Sequence, residues 1–534
     1  MSKVLKYVFL GVISLIVMVM IMIAVRSVND RKIDYDVDLS GTDIPTFQTI
    51  TIPFTNANDG EASLPFLASA IIDVDGDGQE ELFLGGGHGQ NDGLFRFENN
   101  EFQPVNGVLG LKKDDSDTSH GAVVLDSNDD GTKDLLVARE TGVWLHENIK
   151  GKFNSRKLDL EFTENTVPLS VAIADLNGDG HFDMYVSGYV RNDKVEGLNI
   201  FNKEGYGGSS ELFINLGDDT FEKKTKEWGL SYTHNTFQSV FSDVNNDGKL
   251  DLVVAHDTGQ VRTWKNTGDK FELIENPGSK VYSYPMGIAV ADYDNNGLVD
   301  FFFSNVGTTP PHFMVKGDLR DDQQHHWEWM LFKNEGDFKF VDNAAFAKVA
   351  NYEFGWGNVF EDLNLDGRQD LIVSQNFVSM PLHKLKALRL PGRLLVQNTK
   401  GEFAEVGAQA GISNPYYSIA PLTADFNDDG YPDLVHANLK GPSQAFISKG
   451  GDNAYLKISL PDTAESVGAM VTVTRDDGEK LYLPFVSGEG LCSDSSHILI
   501  AGLGTGSAVK VQVKFINGRI IQRQGTFRNE LLKL

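Results

Sequence analysis

The stretch DVNNDGKLDLVVAHDTG, residues 243–259, places acidic and amide side chains around one glycine and then turns abruptly apolar. Carboxylate and amide oxygens at alternate positions of a tight turn are ligands that calcium prefers. The apolar run that follows is rich in β-branched residues and is typical of a buried strand. The stretch is therefore either a lone calcium site or one copy of a repeated element that builds the fold.

The pattern D-x-[DN]-x-[DN]-G-x-x-[DE] occurs seven times, and its copies are called loops one to seven below. The loops begin at Asp73, Asp126, Asp175, Asp243, Asp292, Asp362 and Asp425. A short apolar strand precedes and follows each loop, and most units continue with a third strand, a turn that contains Asn, and a strand opened by Phe. Such units, which recur about every 49 to 70 residues, predict the four-stranded blades of a β-propeller.

The last unit lacks its fourth strand, because QAFISKGG runs directly into a new region at Asn453. The segment FQTITIPF, residues 47–54, precedes the first loop and is a candidate for the missing strand. Residues 47–452 are thus predicted to form a closed seven-bladed β-propeller with little exposed sheet edge.

Each loop offers side-chain oxygens at positions 1, 3, 5 and 9 and a backbone carbonyl at position 7, which together can enclose Ca²⁺. An EF-hand is excluded, because position 12 is never Glu and the flanking segments are strand-like. Asx-rich turns without metal are the alternative, but such turns do not require repeated carboxylates. The predicted ligands, for up to seven Ca²⁺ sites, are Asp73, Asp75, Asp77, Glu81, Asp126, Asn128, Asp130, Asp134, Asp175, Asn177, Asp179, Asp183, Asp243, Asn245, Asp247, Asp251, Asp292, Asp294, Asn296, Asp300, Asp362, Asn364, Asp366, Asp370, Asp425, Asn427, Asp429 and Asp433.

The formal net charge of −28 makes nucleic acid an improbable partner, since nucleic-acid binding depends on cationic contacts. The first loop carries four carboxylates and the other six carry three each, so the loops supply most of this excess charge. Without cations these clustered carboxylates would repel one another and raise one another's pKa. The single cysteine, Cys492, excludes an intramolecular disulfide and a Cys-rich zinc site.

Residues 7–25 contain no charge and no proline, and a helix of this length spans roughly the ~30 Å hydrocarbon core of a bilayer. Residues 1–32 are therefore predicted to be an uncleaved signal anchor, followed by a linker at 33–46. A cleaved signal peptide and a buried core helix remain alternatives. Basic residues flank both ends of the span, so charge does not set its orientation. Calcium loops favour an exported chain, periplasmic or extracellular, on a single-pass anchor in a bacterial inner membrane.

The repeats resemble those of FG-GAP (VCBS-type) propellers, which are also found in integrin alpha-subunit heads. MGIAVADYDNNGLVDFFFSNVG and FGWGNVFEDLNLDGRQDLIVSQNF are similar to repeats of bacterial proteins related to cartilage acidic protein. Residues 453–534, with SVGAMVTVT, VSGEG and SDSSHILIAGLG, resemble the ASPIC/UnbV domain that follows such propellers. The resemblance implies calcium ligation in each loop and a small C-terminal β-domain packed on the propeller. The predicted fold class is all-β, with a seven-bladed propeller, an N-terminal transmembrane helix and this small β-domain.

A long insertion between loops five and six gathers histidine and tryptophan, and long excursions from a rigid scaffold often carry binding sites. The candidate ligand-binding residues are His312, His325, His326, Trp327 and Trp329. The two tryptophans either stack on a sugar or peptide or form a hydrophobic plug over the ring. We expect an extracytoplasmic scaffold that binds protein or carbohydrate rather than an enzyme. The alternative is an envelope hydrolase or lyase with its site near residues 308–330. No catalytic residues or organic cofactor are predicted, since SDSSH, residues 493–497, lacks the spacing of a triad and reads as a turn of the β-domain.

Overall fold

Nearly all regular structure in the computed structural model is β-strand. The structure describes residues 11–18, 35–58, 64–105, 117–195, 205–217, 220–308, 320, 322–376 and 390–534. Outside residues 11–18, the described helices are single turns at Asn192–Lys194, Pro277–Lys280, Gly407–Ala410 and Ala464–Ser466. The prediction of an all-β fold is confirmed.

Seven antiparallel sheets share one order of strands within the described residues. The first three sheets are β2 (Ser69–Ile72), β3 (Glu81–Leu84), β4 (Gly93–Glu98) and β5 (Glu101–Pro104); β6 (Ser119–Leu125), β7 (Asp134–Arg139), β8 (Gly142–Asn148) and β9 (Phe153–Lys157); and β10 (Thr166–Ala174), β11 (Asp183–Val190), β12 (Glu211–Asn215) and β13 (Phe221–Lys223). The next three are β14 (Thr236–Ser242), β15 (Asp251–His256), β16 (Arg262–Asn266) and β17 (Phe271–Ile274); β18 (Ile288–Ala291), β19 (Asp300–Phe303), β20 (Met330–Asn334) and β21 (Phe340–Asp342); and β22 (Asn358–Glu361), β23 (Asp370–Val373), β24 (Arg393–Gln397) and β25 (Phe403–Glu405). The seventh is β26 (Tyr417–Ala424), β27 (Asp433–Lys440), β28 (Pro442–Ser448) and the N-terminal β1 (Phe47–Thr55).

Strand β1 supplies the fourth strand of the seventh sheet. It pairs antiparallel with β28, and the register runs from Phe47 opposite Ser448 to Thr51 opposite Gln444. The inward-facing side chains of Phe47, Ile52 and Phe54 are buried. The prediction that the segment before the first loop completes the last unit is confirmed.

The first strand of each sheet, called the inner strand below, contacts the inner strand of the next sheet. These contacts run from β2 through β6, β10, β14, β18 and β22 to β26, and β26 in turn contacts β2. Every residue of β6, β10, β14 and β26 is buried, because neighbouring sheets cover both of their faces. This burial explains why the segments before the loops are continuous apolar runs instead of alternating patterns.

The C-terminal region forms two further sheets around a core of its own. Its strands are β29 (Ala454–Ser459), β30 (Met470–Arg475), β31 (Lys480–Pro484), β32 (Ser493–Asp494), β33 (Ile498–Gly504), β34 (Ala508–Lys514), β35 (Ile520–Phe527) and β36 (Glu530–Lys533). Sheets β33-β29-β36 and β31-β30-β34-β35 enclose an apolar cluster that includes Leu456, Val471 and Val513. Strand β32 leaves this unit and pairs in parallel with β2 of the first repeat sheet.

The N-terminal residues are described only in part. Residues 11–18 are helical and exposed, and the remainder of the predicted span at 7–25 lies outside the described residues. No helix in the part of the chain that the structure describes has the length and apolar character needed to cross a membrane. The predicted linker is described from Tyr35 onward, where Val37, Leu39 and Ile44 pack on the sixth and seventh sheets.

Candidate metal centres and ligand site

All seven acidic loops lie at one end of the ring, because each connects an inner strand to the second strand of its sheet. In loop four, Asp243 accepts backbone hydrogen bonds from Asp247 N at 3.0 Å and Gly248 N at 2.9 Å. Asp247 in turn accepts a bond from Lys249 N at 3.1 Å. Gly248 has φ +82°, which favours glycine. The carboxylates at positions 1 and 5 are therefore oriented by the turn itself.

The carboxylate at position 9 is buried under the loop and ties it to the third strand. Asp251 accepts hydrogen bonds from Val244 N at 3.1 Å and from Asn266 N at 2.8 Å. Burial raises the pKa of Asp251 to about 8, and the negative charges of Asp243 and Asp247 add to this increase. A cation bound beside it would hold this carboxylate ionised at neutral pH.

The Asn at the end of the third strand links neighbouring sheets, a role that the sequence pattern did not reveal. Asn148 Nδ2 donates to the carbonyl of Val74, in the loop of the preceding sheet, at 2.7 Å. Asn334 Nδ2 donates to Val244 O in the same way, at 2.8 Å. Each of these amides therefore joins the loop of one sheet to the strand of the next.

The donor set of the loops fits a hard divalent cation. Their side chains offer carboxylate and amide oxygens, which are calcium ligands. Among the described residues, three carboxylate oxygens lie within 4.8 Å of one another in loop one, at Asp73, Asp75 and Asp77, and in loop five, at Asp292, Asp294 and Asp300. Loop five therefore brings three carboxylates together, and the remaining loops from two to seven offer the same types of donor atom. Loop one differs, because Arg96 contacts three of its carboxylates.

The C-terminal unit covers the loop end of the ring. Lys457 Nζ lies 2.9 Å from Asp425 Oδ2 of loop seven and also contacts Asp428. In loop six, Leu365 O accepts a hydrogen bond from Gly504 N at 2.9 Å. The predicted packing of the small β-domain on the ring is therefore observed, and the acidic loops form the contact surface.

Residues 487–497, called the channel plug below, enter the centre of the ring and bond to inner strands. Val124 N donates to Asp494 Oδ2 at 2.7 Å, and Cys492 N donates to Gln238 Oε1 at 2.9 Å. Ile288 and Gly490 exchange backbone hydrogen bonds of 2.8 and 2.7 Å. The expectation that SDSSH is a turn of the β-domain is wrong, since this segment leaves the β-domain and fills the channel.

The plug carries a buried cluster of charges. His497 Nδ1 lies 2.5 Å from Asp462 Oδ1, and its Nε2 lies 3.2 Å from Asp494 Oδ2. Lys133 Nζ, from loop two, lies 3.2 Å from Asp462 Oδ2. Ser493 Oγ donates to Glu489 O at 3.2 Å. The Ser, Asp and His of SDSSH therefore do not form a nucleophilic triad.

Docking of the C-terminal unit should depend on pH through His497. Burial lowers its pKa, but Asp494 and Asp462 outweigh that effect and raise it to about 10. The folded-state pKa exceeds the unfolded value, so the stabilisation is complete below about pH 6.5 and is lost as the pH rises through 10. Urea unfolding at pH 6, 8 and 10 should reveal a loss of about 4 kcal/mol in the wild type between the first and last pH. His497→Gln should remove most of this dependence, and an equal loss in that variant would contradict the assignment.

The other end of the channel is filled by aromatic side chains. The ring of Phe66 lies 6.0 Å from Tyr189, 5.7 Å from Phe237 and 6.3 Å from Trp356. Trp327 is half-buried, packs against this cluster and lies 4.5 Å from the ring of His325. The plug and the aromatic cluster therefore occupy the two ends of the channel.

The proposed pair of ligand-binding tryptophans is split by the structure. Trp329 is 0% exposed, stacks on Tyr352 at 5.0 Å, and donates its Nε1–H to Asn305 O and Glu353 O. The prediction of Trp329 as a ligand-binding residue is wrong, because no face of its ring reaches solvent. Of the other candidates, His325 and His326 lie beside Trp327, and His312 lies outside the described residues.

The two tryptophans should respond differently to substitution. Trp329→Ala should cost about 3–5 kcal/mol of stability, because it empties a buried site and removes a donor to two carbonyls. Trp327→Ala should cost less than half as much, because its ring is already partly solvated. Denaturant unfolding of the two variants checks this expectation. Equal losses would contradict the assignment of Trp329 alone to the core.

Sequence reasoning missed Arg96 and the channel plug. The sequence of the first unit could have drawn attention to Arg96. Its loop alone has Glu at position 9, and Phe97 in its third strand stands where the second to fifth sheets have Asn. The plug offered no comparable signal, since a segment that bonds to many strands has no periodicity of its own.

Comparison with known proteins supports the repeat assignment. The family model for the FG-GAP-like repeat matches residues 126–186, 200–254 and 243–303. Human cartilage acidic protein 1 is 22% identical over 328 residues, covering 57% of this chain and 46% of that protein. The Xenopus tropicalis protein of the same name is 24% identical over 341 residues, covering 59% of this chain and 49% of that protein. The chain thus spans about half the length of the curated relatives it matches.

Among solved structures, BBS1N in complex with ARL6DN resembles the chain with a TM-score of 0.42 and 11% identity, covering 74% of this chain and 96% of that one. The resemblance to FG-GAP repeats and to cartilage acidic protein that the sequence motifs indicated is confirmed by the family model and the curated relatives.

Proposed function

We propose that this FG-GAP-repeat protein is a calcium-binding, seven-bladed β-propeller that is anchored to a membrane, faces away from the cytoplasm, and serves as a scaffold for binding protein or carbohydrate. The observation that carries the proposal is the closed circle of contacts among seven inner strands, with an acidic loop at the same end of each sheet. The ASPIC/UnbV-like unit at 453–534 would hold the ring closed from its loop end.

Calcium is supported by the chemistry of loops two to seven. Each brings three carboxylates and one amide oxygen into a single turn, and a bound Ca²⁺ would neutralise charge that is otherwise concentrated there. Burial at position 9 raises the pKa of Asp183 to about 7 and that of Asp433 to about 8. Carboxylates that are costly to ionise alone are suited to a permanently bound cation.

Membrane anchoring is proposed from the apolar segment at residues 7–25, and export is proposed from the calcium-type loops. Residues 7–25 have the length and apolar character of a membrane span. Extracellular calcium modules work at dissociation constants of about 10⁻⁴–10⁻³ M, which requires millimolar calcium. Fractionation of cells that produce the full chain tests the anchor. Release of the protein into the soluble envelope fraction would favour a cleaved signal peptide instead.

A binding role is supported by the closure of the channel. The plug and the aromatic cluster fill both ends, so a substrate has no path through the ring. Of the two candidate tryptophans, Trp327 is the one that is only half-buried, and it lies at the aromatic end. The scaffold function predicts that the immobilised protein retains a soluble glycan or an envelope protein. Trp327→Ala should reduce retention at least tenfold, while lowering the melting temperature less than Trp329→Ala does.

The alternative function is an envelope hydrolase or lyase near residues 308–330. His325 and His326 beside Trp327 are the residues that favour it. A panel of polysaccharides and esters tests this function directly. Turnover that is lost in His325→Ala or His326→Ala, and kept in Trp329→Phe, would replace the scaffold proposal.

A further inference from the structure

We propose that loop one, residues 73–81, is not a calcium site, because the guanidinium of Arg96 takes the position of the ion. This inference rests on the proposed calcium function of the other loops, and it limits the chain to at most six bound ions among its seven acidic loops.

Arg96 contacts three of the four predicted ligand side chains of loop one. Its Nη2 lies 2.7 Å from Asp75 Oδ2 and its Nη1 lies 3.4 Å from Asp77 Oδ2. Its Nε donates to Glu81 Oε1 at 2.5 Å. The fourth ligand, Asp73, accepts backbone hydrogen bonds from Gly76 and Gly78. The three aspartates that cluster within 4.8 Å in this loop are therefore arranged beside a cation that the chain itself supplies.

The register of β4 explains why the guanidinium reaches the loop. Phe95 lies opposite Leu82 in the first sheet, as Trp264 lies opposite Leu252 in the fourth sheet. Arg96 therefore occupies the position that Lys265 occupies in β16. The Lys265 ammonium lies 3.9 Å from Asp247, and Asp247 is the one carboxylate of loop four with which it pairs.

Basic residues beside the other loops engage fewer of the predicted ligands. Lys333 lies 2.5 Å from Asp294 in loop five, Arg368 contacts Asp366 in loop six, and Lys457 contacts Asp425 in loop seven. In each of these loops only one predicted ligand forms an ion pair within 4.0 Å, among the described residues. Arg96 differs because its planar group presents five donors and can serve several carboxylates at once.

Loop one is also built differently from its siblings. It carries Glu81 at position 9, and this longer side chain extends to the Nε of Arg96. The Arg96 side chain is only 19% exposed, so its charge is poorly screened by solvent. A divalent ion placed among the same carboxylates would lie next to this fixed positive charge and be repelled. Arg96 thus offsets one of the four negative charges of the loop and holds three of its carboxylates together without metal.

The inference is tested by counting calcium ions on the full-length chain after metal removal, by equilibrium dialysis and by calorimetry. Asp77→Ala and Asp179→Ala remove the same position from loop one and loop three. We expect Asp179→Ala to lower the number of bound ions by one and Asp77→Ala to leave it unchanged. Arg96→Met should raise the number by one, whereas Lys265→Met, at the matching position of the fourth sheet, should leave it unchanged.

Thermal melting provides a second measurement that does not depend on the count. Without metal, Arg96→Met should melt below the wild type, and added calcium should raise its melting temperature by more than it raises that of the wild type. Loss of one ion in Asp77→Ala, or no gain in Arg96→Met, would overturn the inference while leaving calcium binding intact. No bound calcium in the wild type would overturn the calcium function and this inference together.

Discussion

Deletion of residues 47–55 is expected to abolish the cooperative unfolding transition of the ring. Strand β1 buries Phe47, Ile52 and Phe54, and each buried side chain of this size contributes about 1.5–3 kcal/mol. Its loss would also expose the hydrogen-bonding edge of β28. The sum approaches the total net stability of about 5–15 kcal/mol that is typical of folded proteins. Circular dichroism and calorimetry of the deleted chain should record a broad, weak transition.

Two point variants separate ring closure from a general effect of altering β1. Ile52→Asp places an unpaired charge at a fully buried position and should cost more than about 3 kcal/mol. Thr49→Asp changes an exposed residue of the same strand and should cost less than about 0.5 kcal/mol. A sharp transition in the deleted chain at the wild-type temperature would refute the role of β1 in closing the ring.

Removal of calcium by EGTA is expected to lower the melting temperature by about 10 °C or more. At ten times its dissociation constant, a ligand stabilises the folded state by about 1.4 kcal/mol per site, so six sites would add about 8 kcal/mol. The loops are also the surface on which the C-terminal unit rests, through contacts such as Lys457 with Asp425. Chelation should therefore loosen the C-terminal unit first.

Scanning calorimetry with and without EGTA measures the effect, and limited proteolysis identifies the region that opens. Restoring calcium should recover the original melting temperature, whereas equimolar magnesium should not, because magnesium requires stricter octahedral geometry. An indifferent melting curve, with no change in the proteolytic pattern, would argue that the loops are metal-free turns.

Elements defined by local pattern could be predicted from the sequence. The seven loops can be recognised by their shared motif, and the apolar run before each loop marks an inner strand. The closing strand FQTITIPF could be inferred because the seventh unit lacks a fourth strand and residues 47–54 belong to no other unit. These predictions depend on contacts within one repeat or on counting repeats.

Features that depend on contacts between distant parts of the chain could not be predicted in this way. The plug residue Asp494 bonds to Val124, which lies 370 positions away in the chain. Trp329 and Trp327 are two residues apart on an irregular segment, yet one is a core residue and the other lies at the surface of the aromatic cluster. The sequence showed only that both tryptophans lie in a long insertion. It carries no information about which of the two rings packs on Tyr352.

The position of the channel plug has a consequence for biosynthesis. The plug is made after all seven sheets, so every truncated product that ends before residue 487 has a ring without its centre. In such a product the backbone amides of Val124 and Ile288 lose the partners Asp494 and Gly490 at the channel. Unpaired groups of this kind loosen the inner strands and expose them to proteases. We therefore expect the inner strands to reach full stability only after the chain has been synthesised past residue 497.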